Sequence, residues 1–274
     1  MTIDADRGLL EALLPVVLAA GRIEMNYFDA GVEVQIKADA TPVTVADHEA
    51  EVVLVDGLNK VAPGVPVIAE ESVAAGKVPE TGSEFFLVDP LDGTRAFIAN
   101  KPDFTINIGL VRDNQPIFGI IYAPALGKFF ATLSPEDAVE ADIAPDSQGE
   151  RLSDYTFRPL LARDPDPNAL VAFTSRSHAA HDTDEFLNRL PITETKKASS
   201  SLKFCLIARG EADLYARLGQ TSEWDTAAGQ AILTAAGGSV TTLDGAPLAY
   251  GKRGDGYINP HFVAWARGPL LGAA

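Results

Sequence analysis

The stretch that most constrains this chain is segment 85–94, FFLVDPLDGT. Its four leading apolar residues predict a buried strand, and the residues that follow are typical of a turn. We expect the strand to end at Asp89, Pro90 to fix the turn, and Asp92 to point back toward Asp89. The Leu91 carbonyl would lie between the two carboxylates. Such an oxygen-rich junction suits a hard cation such as Mg²⁺.

A short helix is predicted directly after this turn, from Arg95 to Ala99. The free N–H groups of Gly93 and Thr94 would lie at the start of this helix and could bind a phosphate. A structural interpretation competes with the metal site, because Asp before Gly is common in turns and Asp92 is a suitable N-cap. The metal interpretation is favoured because acidic residues recur at other strand ends and helix starts.

Two of these acidic positions are candidate metal ligands. The pair Glu70-Glu71 follows an apolar run, 65–69, that predicts a short strand. Asp225 precedes the predicted helix Thr226 to Ala236. A solvated loop is the alternative for the glutamates, and an N-cap is the alternative for the aspartate.

Asp47 is the third such position and a candidate base. It follows Thr44 by three residues, which is the spacing of a capping box at a helix start. The functional alternative is a carboxylate that accepts a proton from a metal-bound water, oriented by the hydroxyl of Thr94.

Basic residues stand out in the second half of this acidic chain. One group follows the predicted strand Leu170 to Thr174, a placement typical of ligand loops in α/β folds. Another lies on one face of the predicted helix Ser201 to Arg209 and at its start. They either balance surface charge or hold a second phosphate or a nucleotide. The candidates are Arg176, His178, Ser200, Lys203 and Arg217.

The length of 274 residues allows one large domain or two small ones. Segment 135–168 is rich in Pro, Asp and Ser and is predicted to be largely loop, with a domain boundary near residue 164. This divides the chain into 1–164, an α+β domain with most acidic candidates, and 165–274, an α/β domain with the basic candidates and Asp225. An α/β protein is therefore expected overall.

Composition excludes several classes of function. The formal net charge of −16 disfavours nucleic acid and anionic membranes as partners of the bulk surface. The single cysteine, Cys205, rules out an internal disulfide and fits a cytoplasmic protein. No apolar run has the length of a membrane span, so no integral membrane segment is expected.

The acidic motifs resemble those of the lithium-sensitive inositol monophosphatase superfamily. They are Asp89–Thr94, Glu70-Glu71 and Trp224-Asp225, and the resemblance extends from about residue 37 to residue 258. Within the superfamily the chain is most similar to the bacterial 3′(2′),5′-bisphosphate nucleotidases of sulfate assimilation. The segments with that similarity are KADATPVTVAD (37–47), TSRSH (174–178), SSLKFCLIA (200–208), ADLY (212–215) and TSEWDTAAGQAI (221–232).

The resemblance implies a layered αβαβα sandwich and hydrolysis of adenosine 3′,5′-bisphosphate to AMP and phosphate. It implies two or three Mg²⁺ ions, an Asp47–Thr94 pair that activates water, and phosphate contacts from Gly93 and Thr94. The implied metal ligands are Glu70, Asp89, the Leu91 carbonyl, Asp92 and Asp225. The implied nucleotide contacts are His178, Ser200, Lys203 and Arg217.

The chain departs from the family pattern outside the metal set. Ser199 stands where Gly is usual, Ala96 where Glu is usual, and Ala216 where Pro commonly precedes the arginine. Substrate preference is thus less constrained than chemistry. The alternatives are an inositol or sugar phosphatase of the same superfamily and a non-catalytic metal- or nucleotide-binding protein. A cytoplasmic monomer or homodimer is expected, and the family resemblance adds, as an alternative, a peripheral location at the inner face of the cytoplasmic membrane.

Overall fold

A computed structural model describes residues 2–31, 34–36, 42–175 and 181–269. The first part of the chain alternates helices with short strands and ends at the segment DPLDGT. Its elements are α1 (Arg7–Ala30), β1 (Val34–Ile36), β2 (Pro42–Thr44), α2 (Val45–Val61), β3 (Val67–Ala69), α3 (Glu70–Ala74), β4 (Glu84–Asp92) and α4 (Thr94–Ile98). β1 and β2 pair as a small antiparallel ribbon.

The strands from β3 to the middle of the chain form a seven-stranded sheet, in the order β3-β4-β5-β6-β7-β8-β9. β3 and β4 are parallel, and all later neighbours are antiparallel. Asp113 and Asn114 join β5 to β6 with φ values of 49° and 65°, as tight hairpin turns require. The added strands are β5 (Thr105–Arg112), β6 (Gln115–Ala123), β7 (Lys128–Ser134), β8 (Asp137–Asp142) and β9 (Arg158–Pro159).

The second half of the chain forms a five-stranded sheet with the strand order β11-β10-β12-β14-β13. Its first three strands are parallel, and β14 is antiparallel to both of its neighbours. The elements are β10 (Leu170–Ser175), α5 (His181–Leu187), β11 (Ile192–Ala198), α6 (Leu202–Ala208), β12 (Leu214–Arg217), α7 (Ala227–Ala235), β13 (Ser239–Thr242) and β14 (Phe262–Trp265).

The two sheets and the helices stack in five layers. Alternate residues of β4 face opposite sides: Phe86 and Val88 pack against α1 and α2, while Phe85 and Leu87 share a core with α6 and α7. The opposite side of α6 and α7 covers the five-stranded sheet, and α5 covers its outer face. This order confirms the predicted αβαβα sandwich. The boundary near residue 164 stays a prediction.

Two glycines set the separation between the seven-stranded sheet and α7. Gly109 and Gly119 are paired across β5 and β6. A Cβ atom at Gly109 would lie 2.7 Å from the Ala227 Cβ, and one at Gly119 would lie 2.4 Å from the Ala228 carbonyl oxygen. The helix therefore rests directly on the backbone of the sheet. Because Asp225 precedes α7 by two residues, this contact fixes the depth at which its carboxylate enters the site.

Segment 135–168 is largely loop, as expected, although β8 and β9 lie within it and continue the seven-stranded sheet. One sequence-based expectation was wrong. β4 does not end at Asp89 but runs to Asp92, with a shift in register between those two residues. Pro90 has no N–H group to donate, so the ladder is interrupted there while the strand direction continues. Asp89 and Asp92 are thus held on one irregular strand.

Candidate active site

The DPLDGT segment forms the floor of the site. Asp89 pairs with Asn107 of β5 before the irregularity, and its Oδ1 accepts the N–H of Leu91 at 3.0 Å. Gly93 then turns the chain with a φ of 101° into α4, a conformation that favours glycine. A Cβ at Gly93 would also lie 2.6 Å from the Ser200 hydroxyl. The turn thus needs glycine for two independent reasons.

Three carboxylates from three distant parts of the chain meet above this floor. Glu70 begins α3, Asp89 lies in β4, and Asp225 lies just before α7. Each places an oxygen atom within 4.8 Å of the other two. Asp89 is 2% exposed, whereas Glu70 and Asp225 are half-buried. An all-oxygen cluster of this size matches the ligands that Mg²⁺ takes in proteins.

The electrostatics of the cluster favour a bound cation. Burial, followed by the charges of Glu70 and Asp92, raises the pKa of Asp89 well above its ordinary value. Burial and the charges of Asp92 and Glu70 raise the pKa of Asp225 in the same direction. Like charges this close oppose one another's ionisation. A divalent cation would reverse that balance because it stabilises every ionised carboxylate around it.

Asp92 lies beside this cluster and faces the second half of the chain. Its Oδ2 accepts the N–H of Ser201 at 2.7 Å, and its backbone carbonyl accepts the Ser200 hydroxyl at 2.9 Å. Burial raises the pKa of Asp92, and the charge of Lys203 opposes that shift. Asp92 therefore joins the acidic cluster to the segment that holds the basic residues.

The two oxygen atoms of the Asp47 carboxylate have different partners, Thr44 and Thr94. Its Oδ2 accepts the Thr44 N–H at 2.8 Å and the Thr44 hydroxyl at 2.6 Å, which confirms the capping box. Its Oδ1 lies 3.2 Å from the Thr94 hydroxyl. That hydroxyl is also 3.2 Å from the Leu91 carbonyl. Burial is the main cause that raises the pKa of Asp47.

Lys203 is buried in the wall opposite the carboxylates. Its Nζ donates to the Ser200 carbonyl at 2.7 Å and lies 4.7 Å from the centre of the Tyr215 ring. Ser200 has a φ of 54°, which is rare for a residue with a side chain. Burial lowers the pKa of Lys203 to about 8. The hydrogen bond and the ring contact of the ammonium group are thus made with neutral groups, and the nearby charge of Asp92 opposes the effect of burial on its pKa.

Arg217 ends β12 on the same wall. Its guanidinium donates to the Ser175 hydroxyl at 3.3 Å and to the Gln220 carbonyl at 3.0 Å. Its Nε is buried without a hydrogen-bond partner in the described part of the chain. Arg176 and His178 lie outside the described residues. The structure therefore brings together the predicted basic residues Lys203 and Arg217.

Two adjoining cavities meet at Arg217. The smaller, of about 270 Å³, contains the DPLDGT segment, Lys203 and Asp225. The larger, of about 1390 Å³, extends past the ends of β10 and β12 toward α5. Glu70, Arg217 and Asp225 line both. The pair of cavities can take a ligand with one end near the carboxylates and a longer remainder.

Sequence reasoning missed two residues of this site. Ser201 binds Asp92 through its N–H, and its hydroxyl donates to the Asn107 side chain at 2.7 Å. Tyr215 lines the smaller cavity and supports Lys203. Backbone donors leave no trace in the sequence, and a tyrosine in a strand resembles any other core residue. The one available signal was the position of Tyr215, at the end of the segment ADLY and two residues before Arg217.

The chain belongs to the inositol monophosphatase family, whose sequence model matches residues 6–266. It is 38% identical over 256 residues to the 3′(2′),5′-bisphosphate nucleotidase CysQ of Escherichia coli K12, covering 93% of this chain and 98% of that protein. The CysQ of Buchnera aphidicola is 35% identical and covers 95% of this chain and 94% of its own. The family resemblance inferred from the motifs is confirmed.

Solved structures agree with this assignment. The crystal structure of CysQ from Bacteroides thetaiotaomicron, described as a bacterial member of the inositol monophosphatase family, superposes with a TM-score of 0.77 at 32% identity. It covers 96% of this chain and 98% of its own. A Thermotoga maritima inositol monophosphatase shares the fold with a TM-score of 0.72 at 23% identity, covering 94% and 91%. Among the described residues, none of the helices has the length and apolar character to cross a membrane.

Proposed function

We propose that this protein is a Mg²⁺-dependent phosphomonoesterase that converts adenosine 3′,5′-bisphosphate to AMP and phosphate, in support of sulfate assimilation. One observation carries the proposal. The carboxylate cluster and the buried Lys203 face a common cavity and are joined through the 2.7 Å bond between Asp92 and the Ser201 N–H. A single ligand in this cavity could therefore contact both the cation site and the basic residues.

The acidic cluster fits a divalent metal. The proposed ligands are carboxylate or carbonyl oxygens throughout, and their mutual repulsion is what a cation relieves. Bound Mg²⁺, as two or three ions, would lower the pKa of an attacking water and neutralise the charge on the leaving oxygen. The proposed ligands are Glu70, Asp89, the Leu91 carbonyl, Asp92 and Asp225.

Asp47 and Thr94 are proposed to remove the proton of the attacking water. The Thr94 hydroxyl lies 3.2 Å from Asp47 Oδ1 and keeps lone pairs that can accept a hydrogen bond from that water. As the hydroxyl oxygen takes a proton from the water, it would pass its own proton to Asp47 Oδ1, so that Thr94 stays neutral and Asp47 ends protonated. The other Asp47 oxygen stays bound to Thr44, so the carboxylate is oriented before substrate arrives.

The basic wall is proposed to select a nucleotide with two phosphates. Gly93 and Thr94 would contact the phosphate that is removed, and Lys203 and Arg217 the nucleotide beside it, together with Ser200. His178 is proposed as a further contact from sequence alone. The larger cavity opens at the carboxyl ends of parallel strands β10 and β12, the position where α/β sheets commonly bind ligands.

The names of the relatives support this substrate over inositol or sugar phosphates. CysQ proteins that match almost the whole chain are named as 3′(2′),5′-bisphosphate nucleotidases. A small-molecule substrate, a cytoplasmic location and a monomeric or homodimeric state complete the proposal.

Phosphate release from a substrate panel with Mg²⁺ tests the proposed function. The panel comprises adenosine 3′,5′-bisphosphate, inositol 1-phosphate, fructose 1,6-bisphosphate and AMP. We expect strong preference for the first. Preference for an inositol or fructose phosphate would keep the mechanism but overturn the substrate. Mg²⁺ binding without any phosphate release would indicate a non-catalytic protein.

A further inference from the structure

The first turn of α3 is held by a residue from another helix. The residue at the N-cap position, Ala69, has no side chain able to accept a hydrogen bond. The N–H of Glu71 instead donates to Glu51 Oε2 at 2.7 Å, and the Ser72 hydroxyl donates to Glu51 Oε1 at 2.6 Å. Both carboxylate oxygens of Glu51 therefore hold the turn that begins with Glu70.

Glu51 is placed for this contact by its spacing from Asp47. The two residues are four apart in α2 and so lie on one face of the helix. Asp47 is 2% exposed and Glu51 is 6% exposed. Asp47 contacts Thr94 near the carboxylate cluster. Glu51, one helical turn further along α2, contacts α3. One face of α2 thus supports two sides of the site.

We infer that Glu51 is a positioning residue for the metal site, acting through the backbone of α3 on the carboxylate of Glu70. Glu70 is the first residue of α3, directly before the N–H group that Glu51 binds. Without Glu51 the Glu71 N–H would lose this acceptor, and the first turn of α3 would be able to rotate or fray. The Glu70 oxygen would then leave its place within 4.8 Å of Asp89 and Asp225.

This role rests on the proposed Mg²⁺ site, and its test measures Mg²⁺ binding directly. Isothermal titration with Mg²⁺ is compared for the wild type, E51A, E51Q and S72A. Gln can keep both contacts, since its carbonyl accepts from Glu71 and its amide donates to Ser72. E51A is expected to raise the Mg²⁺ Kd about tenfold or more, as loss of a group that orients a metal ligand does. E51Q is expected to restore most of that loss, and S72A to fall between E51Q and E51A.

Glu84 offers a matched control at the opposite end of β4. Its Oε1 accepts two hydrogen bonds from the Arg112 guanidinium, at 2.8 and 2.6 Å. E84A and E84Q repeat the same changes at a carboxylate with a structural role. These variants are expected to lower the melting temperature without changing the Mg²⁺ Kd. A weakened Mg²⁺ affinity confined to the Glu51 and Ser72 variants supports the positioning role.

Two outcomes would overturn it. One is a folded E51A that binds Mg²⁺ as the wild type does, and the other is an equal loss of affinity in E84A. If E51A does not fold, S72A decides, since unchanged Mg²⁺ affinity there would contradict the role. Failure of the proposed function is a separate result, in which wild type and E51Q bind Mg²⁺ equally well but release no phosphate from the nucleotide.

Discussion

The two walls of the site differ in how their charges are held. On the acidic wall, Asp89 and Asp225 face other carboxylates, and each carboxylate raises the pKa of its neighbour. On the basic wall, Lys203 and Arg217 donate to carbonyl and hydroxyl oxygens, and Lys203 also lies over the Tyr215 ring. One wall holds charges that repel one another. The other holds charges whose hydrogen bonds go to neutral groups, while the nearby charge of Asp92 also favours the charged form of Lys203.

Under the proposed function, this difference separates chemistry from selectivity. The acidic wall becomes stable in its ionised form when cations neutralise it, which is why we propose it as the metal site. Lys203, with a pKa of about 8, and Arg217 remain available to an anionic ligand, because the hydrogen bonds found for them go to carbonyl and hydroxyl oxygens rather than to a carboxylate. We therefore expect changes on the acidic wall to abolish turnover, and changes on the basic wall to alter which substrate binds.

The largest effect is expected for Asp92→Asn. Asn can still accept the Ser201 N–H, so the fold should persist, while one negative ligand is lost. Phosphate release should fall about a thousandfold, the equivalent of several kcal/mol of metal-derived stabilisation. The metal-free variant should melt no lower than the metal-free wild type because one repulsion is removed. An Asn variant with normal turnover would refute the metal role of Asp92.

A smaller effect is expected when Lys203 and Arg217 are both changed to Ala. Hydrogen bonds to charged groups contribute about 1.5–3 kcal/mol each, so KM for the bisphosphate nucleotide should rise at least about tenfold. The kcat value should change less, since the carboxylates remain. Steady-state kinetics on adenosine 3′,5′-bisphosphate measure both constants. If KM does not move, the basic wall does not select the nucleotide.

The pH dependence of binding gives a finer test of Lys203. Its pKa of about 8 means that the ammonium is charged below pH 8 and neutral above it. Because kcat/KM reports the free enzyme, this constant should fall above about pH 8 for the bisphosphate nucleotide. The fall should be absent in the Lys203→Ala variant. A wild-type profile that stays flat up to pH 9.5 would contradict this charge switch.

The smallest effect concerns Glu24, a carboxyl group buried in α1 outside both walls. Neither of its oxygens has a hydrogen-bond partner among the described residues, and burial followed by the charge of Asp47 raises its pKa well above the ordinary value. A raised folded-state pKa lowers stability as the pH rises above the unfolded-state value, near 4.3. Glu24→Met should therefore stabilise the protein by about 1–3 kcal/mol at pH 7.5 and by less at pH 5.

Thermal melts at the two pH values measure this difference. The exposed Glu185 provides the control, since Glu185→Met should change stability little at either pH. Equal gains at pH 5 and pH 7.5 would show that the Glu24 carboxyl does not titrate as its burial indicates. The raised pKa values given above for the buried carboxylates of the site would then also be in question.

The parts of the fold predicted well from the sequence are those with local signals. The signals for the capping box at Thr44 and Asp47 and for the helix after Asp225 each lie within a few neighbouring residues. The strands β8 and β11 were not recognised, because Asp137–Asp142 and Ile192–Ala198 are rich in charged and polar residues. Such composition is common in strands near a sheet edge but resembles a loop in sequence.

The acidic set was predictable as a motif, but its assembly was not. Asp92 and Ser201 are separated by 109 positions in the chain, and nothing local indicates that they touch. The roles of Tyr215 and Glu51 likewise depend on neighbours that only the fold supplies. Arg176 and His178, which the sequence suggested, lie outside the described residues, and their contacts stay a prediction.

The direct seating of α7 on Gly109 and Gly119 has a consequence for attempts to redesign this protein. A library aimed at new substrates would ordinarily vary residues around a pocket and leave remote glycines untouched. We expect the residues of α5 to accept such changes, since several of them line the larger cavity. At Gly109 or Gly119, by contrast, a single added methyl group would push α7 away from the sheet and shift Asp225. Redesign of this side of the site is therefore limited by the distance between the α7 and sheet backbones.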